Sequence, residues 1–402
     1  MTCTVRPRYT RIAISLTLAA LLALLLVVPL AESAASSPST GELMSVSCPW
    51  AYACTAVGTY QTGDGSLHLL AERWDGSEWS FQTVPTPQVA GATFNFATVS
   101  CLPVHFCMAV GSYRLPHGTG GVTKNFFARW NGTTWFVNSL PLPPGMTDGS
   151  MGAVAAVSCY AASGCEAVGG DASNAPVVYD WDGGHWTAAV NGPASQAGAQ
   201  LHGLACPSST FCEAVGWVGN EGPGAAVFAE SWDGSSWSSQ SLPVGLPQVT
   251  TLRSVACVSS LDCTAVGNFY EEVFRNGAFN AAIPWMLHWD GSSWSQGYQP
   301  PQNFWLRNSN QITSVSCAYS GACEAVGWQM AERVSPGHEW WIQLQGLGVG
   351  AWLNGVSWFA VKGRPTVLIA VGQHVPGLPG IVAYRWTSSG WVSMPMPALP
   401  TG

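Results

Sequence analysis

"SVSCAYSGACEAVGW", residues 314–328, sets two cysteines five residues apart between short apolar runs. Nearly the same string stands at residues 45–59 as "SVSCPWAYACTAVGT". The spacing occurs six times: Cys48 and Cys54, Cys101 and Cys107, Cys159 and Cys165, Cys206 and Cys212, Cys257 and Cys263, Cys317 and Cys323. A pattern remade at intervals of roughly 50 residues is a repeated structural unit before it is anything else.

Each unit has the same order of features. A short alternating run such as "LRSVAC" leads into the five-residue loop, and "C-x-A-V-G" follows. After a variable loop comes a turn of the form "WDGSSWS", then a proline-bearing connection. Units start near residues 43, 97, 154, 201, 252, 312 and 353. The seventh has no cysteines. It keeps Leu353, Gly355, Val356 and Ser357 and then Ala370, Val371 and Gly372, with Trp358 and Leu368 where the cysteines would stand.

Four short strands per unit, with Gly, Asn, Asp and Pro between them and no helical period, predict an all-β fold. Seven such units predict a seven-bladed β-propeller of four-stranded antiparallel blades over residues 36–402. The small residues of "AVG" are expected to let neighbouring sheets approach. In the sixth unit the next inner strand follows "HEWWIQLQGLGVGAW" almost at once, so a missing or stunted outer strand, and an exposed edge, are expected there.

The first 35 residues lie outside the repeat. Arg6, Arg8 and Arg11 precede an apolar run from Ile12 to Leu30, followed by Ser33, Ala34 and Ala35. This is the pattern of a cleaved secretory signal peptide, with an uncleaved membrane anchor as the alternative. Cleavage would remove Cys3 and leave an even twelve cysteines. In an exported chain the six pairs read as disulfides, and the expected location is extracellular, secreted or at the cell surface. Their spacing and the lack of accompanying histidines argue against metal ligation. The formal charge is -8, and about -10 without the first 35 residues, which carry three arginines and Glu32. An acidic body whose only lysines are Lys124 and Lys362 argues against nucleic acid as a partner.

The order of an inner strand, a second strand ending in Gly, a third ending in an aromatic-Asp turn and a fourth running from Trp to Pro is shown by Ala56, Val57, Gly58, Trp74, Asp75, Trp79 and Pro85. It resembles the Kelch-type, galactose-oxidase-like propeller superfamily over residues 42–400. The Kelch double glycine is present once, at Gly169 and Gly170. Copper oxidases of similar shape need a particular Tyr, Tyr, His, His set and a free cysteine. With every cysteine of the repeat paired that reading is weak, and no cofactor is expected.

The paired tryptophans of the turns, such as Trp74 with Trp79 and Trp289 with Trp294, are expected to pack between blades. Asp75, Asp182, Asp233, Asp290 and Asn131 fit turn positions. "D-G-x-x-W" is one residue short of a sialidase Asp-box, and the Gly-His that accompanies WD repeats is absent. Glu166, Glu213 and Glu324 share one repeat position, read as a loop-capping or edge position, with a cation site as the alternative.

Loops between second and third strands should emerge on the same face as the connections between blades. They vary most, and rigid scaffolds carry binding in such loops. Their first aromatic or imidazole residues are Tyr60, Tyr113, Trp217, Phe269, Tyr270, Trp328 and His374, an expected collar for an extracellular protein or carbohydrate ligand. The competing reading is that these rings cap the blade cores. A glycan hydrolase or lyase is the alternative function, with Asp64, Glu271 and Glu272 available as carboxylates but unpaired by any motif. A purely structural repeat is a third.

The six pairs are tested by intact mass. Reduction of the exported protein is expected to add about twelve hydrogens, and free thiols before reduction would contradict the pairing.

Overall fold

Strands are arranged in seven sheets of four, each sheet taken from one continuous stretch of chain in the order inner, second, third, outer. The computed structural model describes residues 39–401 except 90, 104, 117–120, 190–197, 220–225, 247–249, 274–278, 298–310, 319–320, 329, 335–339, 343–346, 349, 361–365 and 375–379. The first 35 residues, expected to be a signal peptide, therefore lie outside the described residues. The inner strands are Thr40–Trp50, Thr93–Leu102, Met151–Ala161, Ala199–Ser208, Thr250–Ser259, Ile312–Cys317 and Ala351–Phe359. All neighbours within a sheet are antiparallel, so the molecule is the expected seven-bladed propeller. The sixth outer strand, Trp340–Ile342, is stunted as expected, yet the fifth, Trp294–Gln296, is equally short.

All six cysteine pairs are disulfides that staple the inner hairpins. Cys257 faces Cys263 and Cys317 faces Cys323 across the two strands. In blade 7 Trp358 faces Leu368 at that place, so an apolar pair substitutes for the bond. In the outer turns, the Asp75 carboxylate accepts the backbone N–H groups of Ser77 and Glu78 at 2.8 and 2.9 Å. Asn131, Asp182, Asp233 and Asp290 do the same in their blades.

The described core consists of seven apolar clusters, one in each seam between blades. The alanine of each "AVG" lies in one of them. The glycine does something different from what the sequence suggested. Every inner strand carries one extra residue, a β-bulge, at the same place. Beside it an inner-strand carbonyl turns onto the glycine of the same blade. A Cβ on Gly267 would meet the Thr251 carbonyl oxygen at 1.8 Å, and one on Gly327 would meet that of Gln311 at 1.8 Å. The glycine thus accommodates its own blade's bulge, while the alanine serves the seam.

An inner strand pairs on one side only, which leaves backbone N–H groups facing the preceding blade. Hydroxyls of the preceding blade accept them. Ser45 and Ser47 accept from the N–H of Val99 and Cys101 at 3.2 and 3.0 Å. Thr98 and Ser100 accept from Val157 and Cys159, and Ser314 and Ser316 from Val356 and Trp358. Ser357 closes the ring by accepting from Cys48 at 2.9 Å. The "S-x-S-C" motif is this device. Where Gly203 and Gly355 replace the first serine, a Cβ would meet the Cα atoms of Ser254 and Ser45 at 2.9 and 2.8 Å, so the neighbouring backbone itself moves in.

Glutamates are also buried in the seams. Glu166, Glu213 and Glu324 lie within second strands, not in loops or at edges, because the residue after the second cysteine faces the next blade. They are distributed over three seams, and no metal-binding cluster of His, Cys, Asp or Glu occurs among the described residues. Glu72, Glu230 and Glu332 occupy one third-strand position, opposite the alanine of "AVG". Both carboxyl oxygens of Glu72 lack a hydrogen-bond partner among the described residues, and burial pushes the group up to about 8.

Two measurements follow from these packing constraints. Gly267→Ala is expected to cost about 3 kcal/mol or more in denaturant unfolding, against about 1 kcal/mol for Ser314→Ala. The second concerns pH. The unfolded chain releases the Glu72 proton near the ordinary 4.5, whereas the folded chain holds it up to about 8. Between those values the folded state binds more protons, so this contribution is full below about pH 4.5 and lost as pH rises through 8. The melting temperature is expected to fall from pH 5 to pH 8, and Glu72→Gln to flatten that slope; an unchanged slope would assign it to other groups.

Candidate functional site

Antiparallel order fixes the two faces of the ring. Each inner strand begins where the chain arrives from the preceding blade, on the face that also carries the loops between second and third strands. The bulge sits in the first half of the inner strand, close to that face. A bulge breaks the in-out alternation and re-aims one side chain. In the seven blades that residue is Met44, Ala97, Ala155, His202, Arg253, Thr313 and Asn354, and all seven line a central funnel of about 510 Å³.

The residue just before the bulge is always large and apolar: Leu43, Phe96, Val154, Leu201, Leu252, Ile312 and Leu353. All seven are buried. Against that constant apolar column the bulge residue changes character, from apolar in blades 1 to 3 to polar in blades 4 to 7. Asn95, Asp171, Asn174 and Gln200 add further polar groups to the funnel wall.

Several of these groups are held in place. His202 lies flat on Trp217, ring centroids 3.7 Å apart, with Nε2 3.3 Å from Gln200 Oε1. The Arg253 guanidinium stands 5.6 Å from the Trp217 ring, so the indole is flanked by imidazole and guanidinium. Asp171 Oδ1 accepts from the backbone N–H groups of Ser173 and Ala175 at 2.7 and 2.8 Å. Asn354 Nδ2 donates to the Leu43 carbonyl at 2.9 Å, and the Thr313 hydroxyl to that of Leu353 at 2.8 Å. The funnel thus offers fixed donors and a carboxylate beside an apolar arc, a lining suited to reversible recognition of a polar ligand.

Of the loop residues singled out in the sequence, Trp217 is the one brought against this funnel, by way of His202. Tyr60 is buried against His68 and Phe81, and Phe269 is buried between blades 4 and 5. Tyr113 is half-buried beside Phe94, at 5.3 Å. Trp328 lies flat on Trp352 of blade 7, with centroids 4.7 Å apart. His374 is half-buried and donates its backbone N–H to the Gly380 carbonyl. The side chains of Tyr270, Glu271 and Glu272 lie outside the described residues. Asp64 is exposed and accepts hydrogen bonds from Thr62 and Ser66 in its own loop. The bulge ring was missed by sequence reasoning. Its signal is the residue before the first serine of "S-x-S-C", a variable column inside an otherwise regular strand.

No protein-family model matches the chain, and no curated protein matches it in sequence. Solved structures do match in shape. One is described as YCF48 bound to D1 peptide, with 15% identity, 89% of this chain and 93% of that chain covered, and a TM-score of 0.51. Another is a GH74 xyloglucanase from Xanthomonas campestris, with 13% identity, 89% and 55% covered, and a TM-score of 0.57. The chain thus spans about half the length of that xyloglucanase. A third is the SapL1 lectin in complex with alpha methyl fucoside, with 14% identity, 91% and 97% covered, and a TM-score of 0.44. At these identities the likeness is one of fold: this chain is built as a β-propeller.

Proposed function

We propose that this protein is an exported propeller of Kelch-like organisation that binds an extracellular protein or carbohydrate over the channel mouth. The observation that carries this reading is the bulge ring: seven equivalent backbone positions present six different kinds of side chain to one funnel. A purely structural repeat would gain nothing from varying that column while keeping the residue before it large and apolar in every blade. The arginines and apolar run before residue 36 support export, as do the six disulfides. The ligand classes follow from the lining, donors and amides for hydroxyls or peptide groups and an apolar arc for the remainder. A peptide is also the ligand named for one of the similar propellers.

The test is a glycan array and an extracellular-protein pull-down with residues 36–402, followed by affinity measurement on whatever is captured. Arg253→Ala and Asn354→Ala are expected to weaken binding by about tenfold or more, as loss of a charged or amide hydrogen bond does. Tyr113→Ala and Trp328→Ala divide the ring from the loop collar. If they alone weaken binding, the ligand sits on the collar. If none of the four does, the channel-mouth reading fails. Turnover of a captured glycan, lost on Asp171→Asn, would favour the hydrolase or lyase alternative.

A further inference from the structure

A second cavity, of about 580 Å³, opens in the seam between blades 3 and 4, and the repeat itself explains why it is there. The third-strand residue opposite Thr55, Met108, Glu166, Glu213, Thr264, Glu324 and Ile369 is, in order, Arg73, Arg129, Asp180, Ser231, His288, Arg333 and Arg385. In three seams the arginine covers a tryptophan of the following blade. Arg73 stands 5.8 Å from the Trp130 ring, Arg129 5.9 Å from Trp181, and Arg333 4.7 and 5.0 Å from Trp358 and Trp386. Arg333 also pairs with Glu324 at 3.0 Å.

Blade 3 carries Asp180 in place of that arginine, directly across from Glu166. Glu166 is the counterpart of Glu324, so this seam has two carboxyl groups where blade 6 has a carboxylate and its guanidinium. A second omission widens the gap. In the seam between blades 4 and 5, Gln240 hydrogen-bonds both Glu213 and the indole N–H of Trp294. Blade 3 has Ala189 at the place of Gln240. Trp232 and Trp237 are half-exposed here, whereas Trp130, Trp135, Trp181, Trp186, Trp289 and Trp294 are buried. Among the described residues nothing accepts the Trp237 indole N–H. Glu166, only 5% exposed, lines the cavity with the exposed Asp180, and burial pushes its carboxyl up to about 8.

We propose that this seam is a binding pocket for a guanidinium group, the arginine side chain of a partner peptide or protein. It would lie over Trp232 against Glu166 and Asp180. The chain's own seams are the warrant. The same fold fills this space with a guanidinium three times, once with a partner carboxylate, and here it supplies the aromatic wall and two acids without the cation. A planar cation fits an indole face beside two acidic side chains better than a neutral group of equal size.

Calorimetric titration of the full-length protein with the capped peptide acetyl-GGRGG-amide tests it. Saturable binding is expected, about tenfold tighter than for the citrulline counterpart, which is similar in shape but uncharged. Asp180→Arg restores the residue of blades 1, 2 and 6. It is expected to abolish binding while the melting temperature stays equal or rises, because the seam then fills itself. Asp180→Asn, at an exposed position, is expected to weaken binding without changing the fold. Equal binding of the citrulline peptide, no saturation in the millimolar range, or undiminished binding by both variants would overturn the proposal. Binding of methyl glycosides that Asp180→Arg abolishes, with no arginine binding, would assign the pocket to carbohydrate and overturn it equally.

Discussion

The inner strands of a propeller face a difficulty that most sheet strands avoid: one edge of each is unpaired, yet that edge is packed against a neighbour and denied water. Here the difficulty is met by side-chain hydroxyls that accept the orphan N–H groups of the next blade. Much else depends on that device. It places serine or threonine at alternate positions in most blades, which ties the inner strand to its neighbour. It also places the disulfide directly after the second hydroxyl, where the inner hairpin is anchored.

How much of this was legible in the chain depends on which physical signal each residue leaves. Disulfides, turns and strand number leave strong ones, since Cys48 and Cys54, or Asp75 and Gly76, are restricted in chemistry or backbone angle wherever they occur. The bulge leaves almost none. Alternation assumes a period of two, and a single inserted residue such as Arg253 looks like part of the run "LRSVAC" until the pairing partner is known. The same limit explains Glu166, Glu213 and Glu324. A glutamate between two apolar residues looks like an edge position, but in a blade both faces are interior, so strand alternation does not distinguish water from seam. Loop aromatics such as Tyr60 and Phe269 were easy to find but ambiguous in role, because an aromatic ring at a strand end serves a core cap and a ligand platform equally well.

Repetition also clarifies where specific recognition can arise. Seven copies of one scaffold give seven equivalent sites, so a departure at one of them stands out against six internal controls. His202 and Arg253 are informative because Ala97 and Ala155 occupy the same geometry. Asp180 is informative because Arg73, Arg129 and Arg333 do. Symmetry of the backbone and asymmetry of single side chains are compatible here because the load of packing is carried by neighbouring positions that do not change.

The meeting of blade 7 with blade 1 has a kinetic aspect. Six seams join consecutive stretches of sequence and can form as the chain collapses locally. The seventh joins residues more than 300 positions apart, as in the bonds of Cys48 to Ser357 and Leu43 to Asn354, and no strand is exchanged across it. Its loop-closure entropy falls due only once, at the end. The face it buries carries Glu72 among Ile369, Val371 and Ala383 of the last blade. A hydrated carboxylate is ionised at neutral pH, whereas burial in the closed ring pushes Glu72 up to about 8. Burying that seam thus favours a protonated Glu72, as burial does for Glu166 and Glu213 in the seams that follow blades 3 and 4.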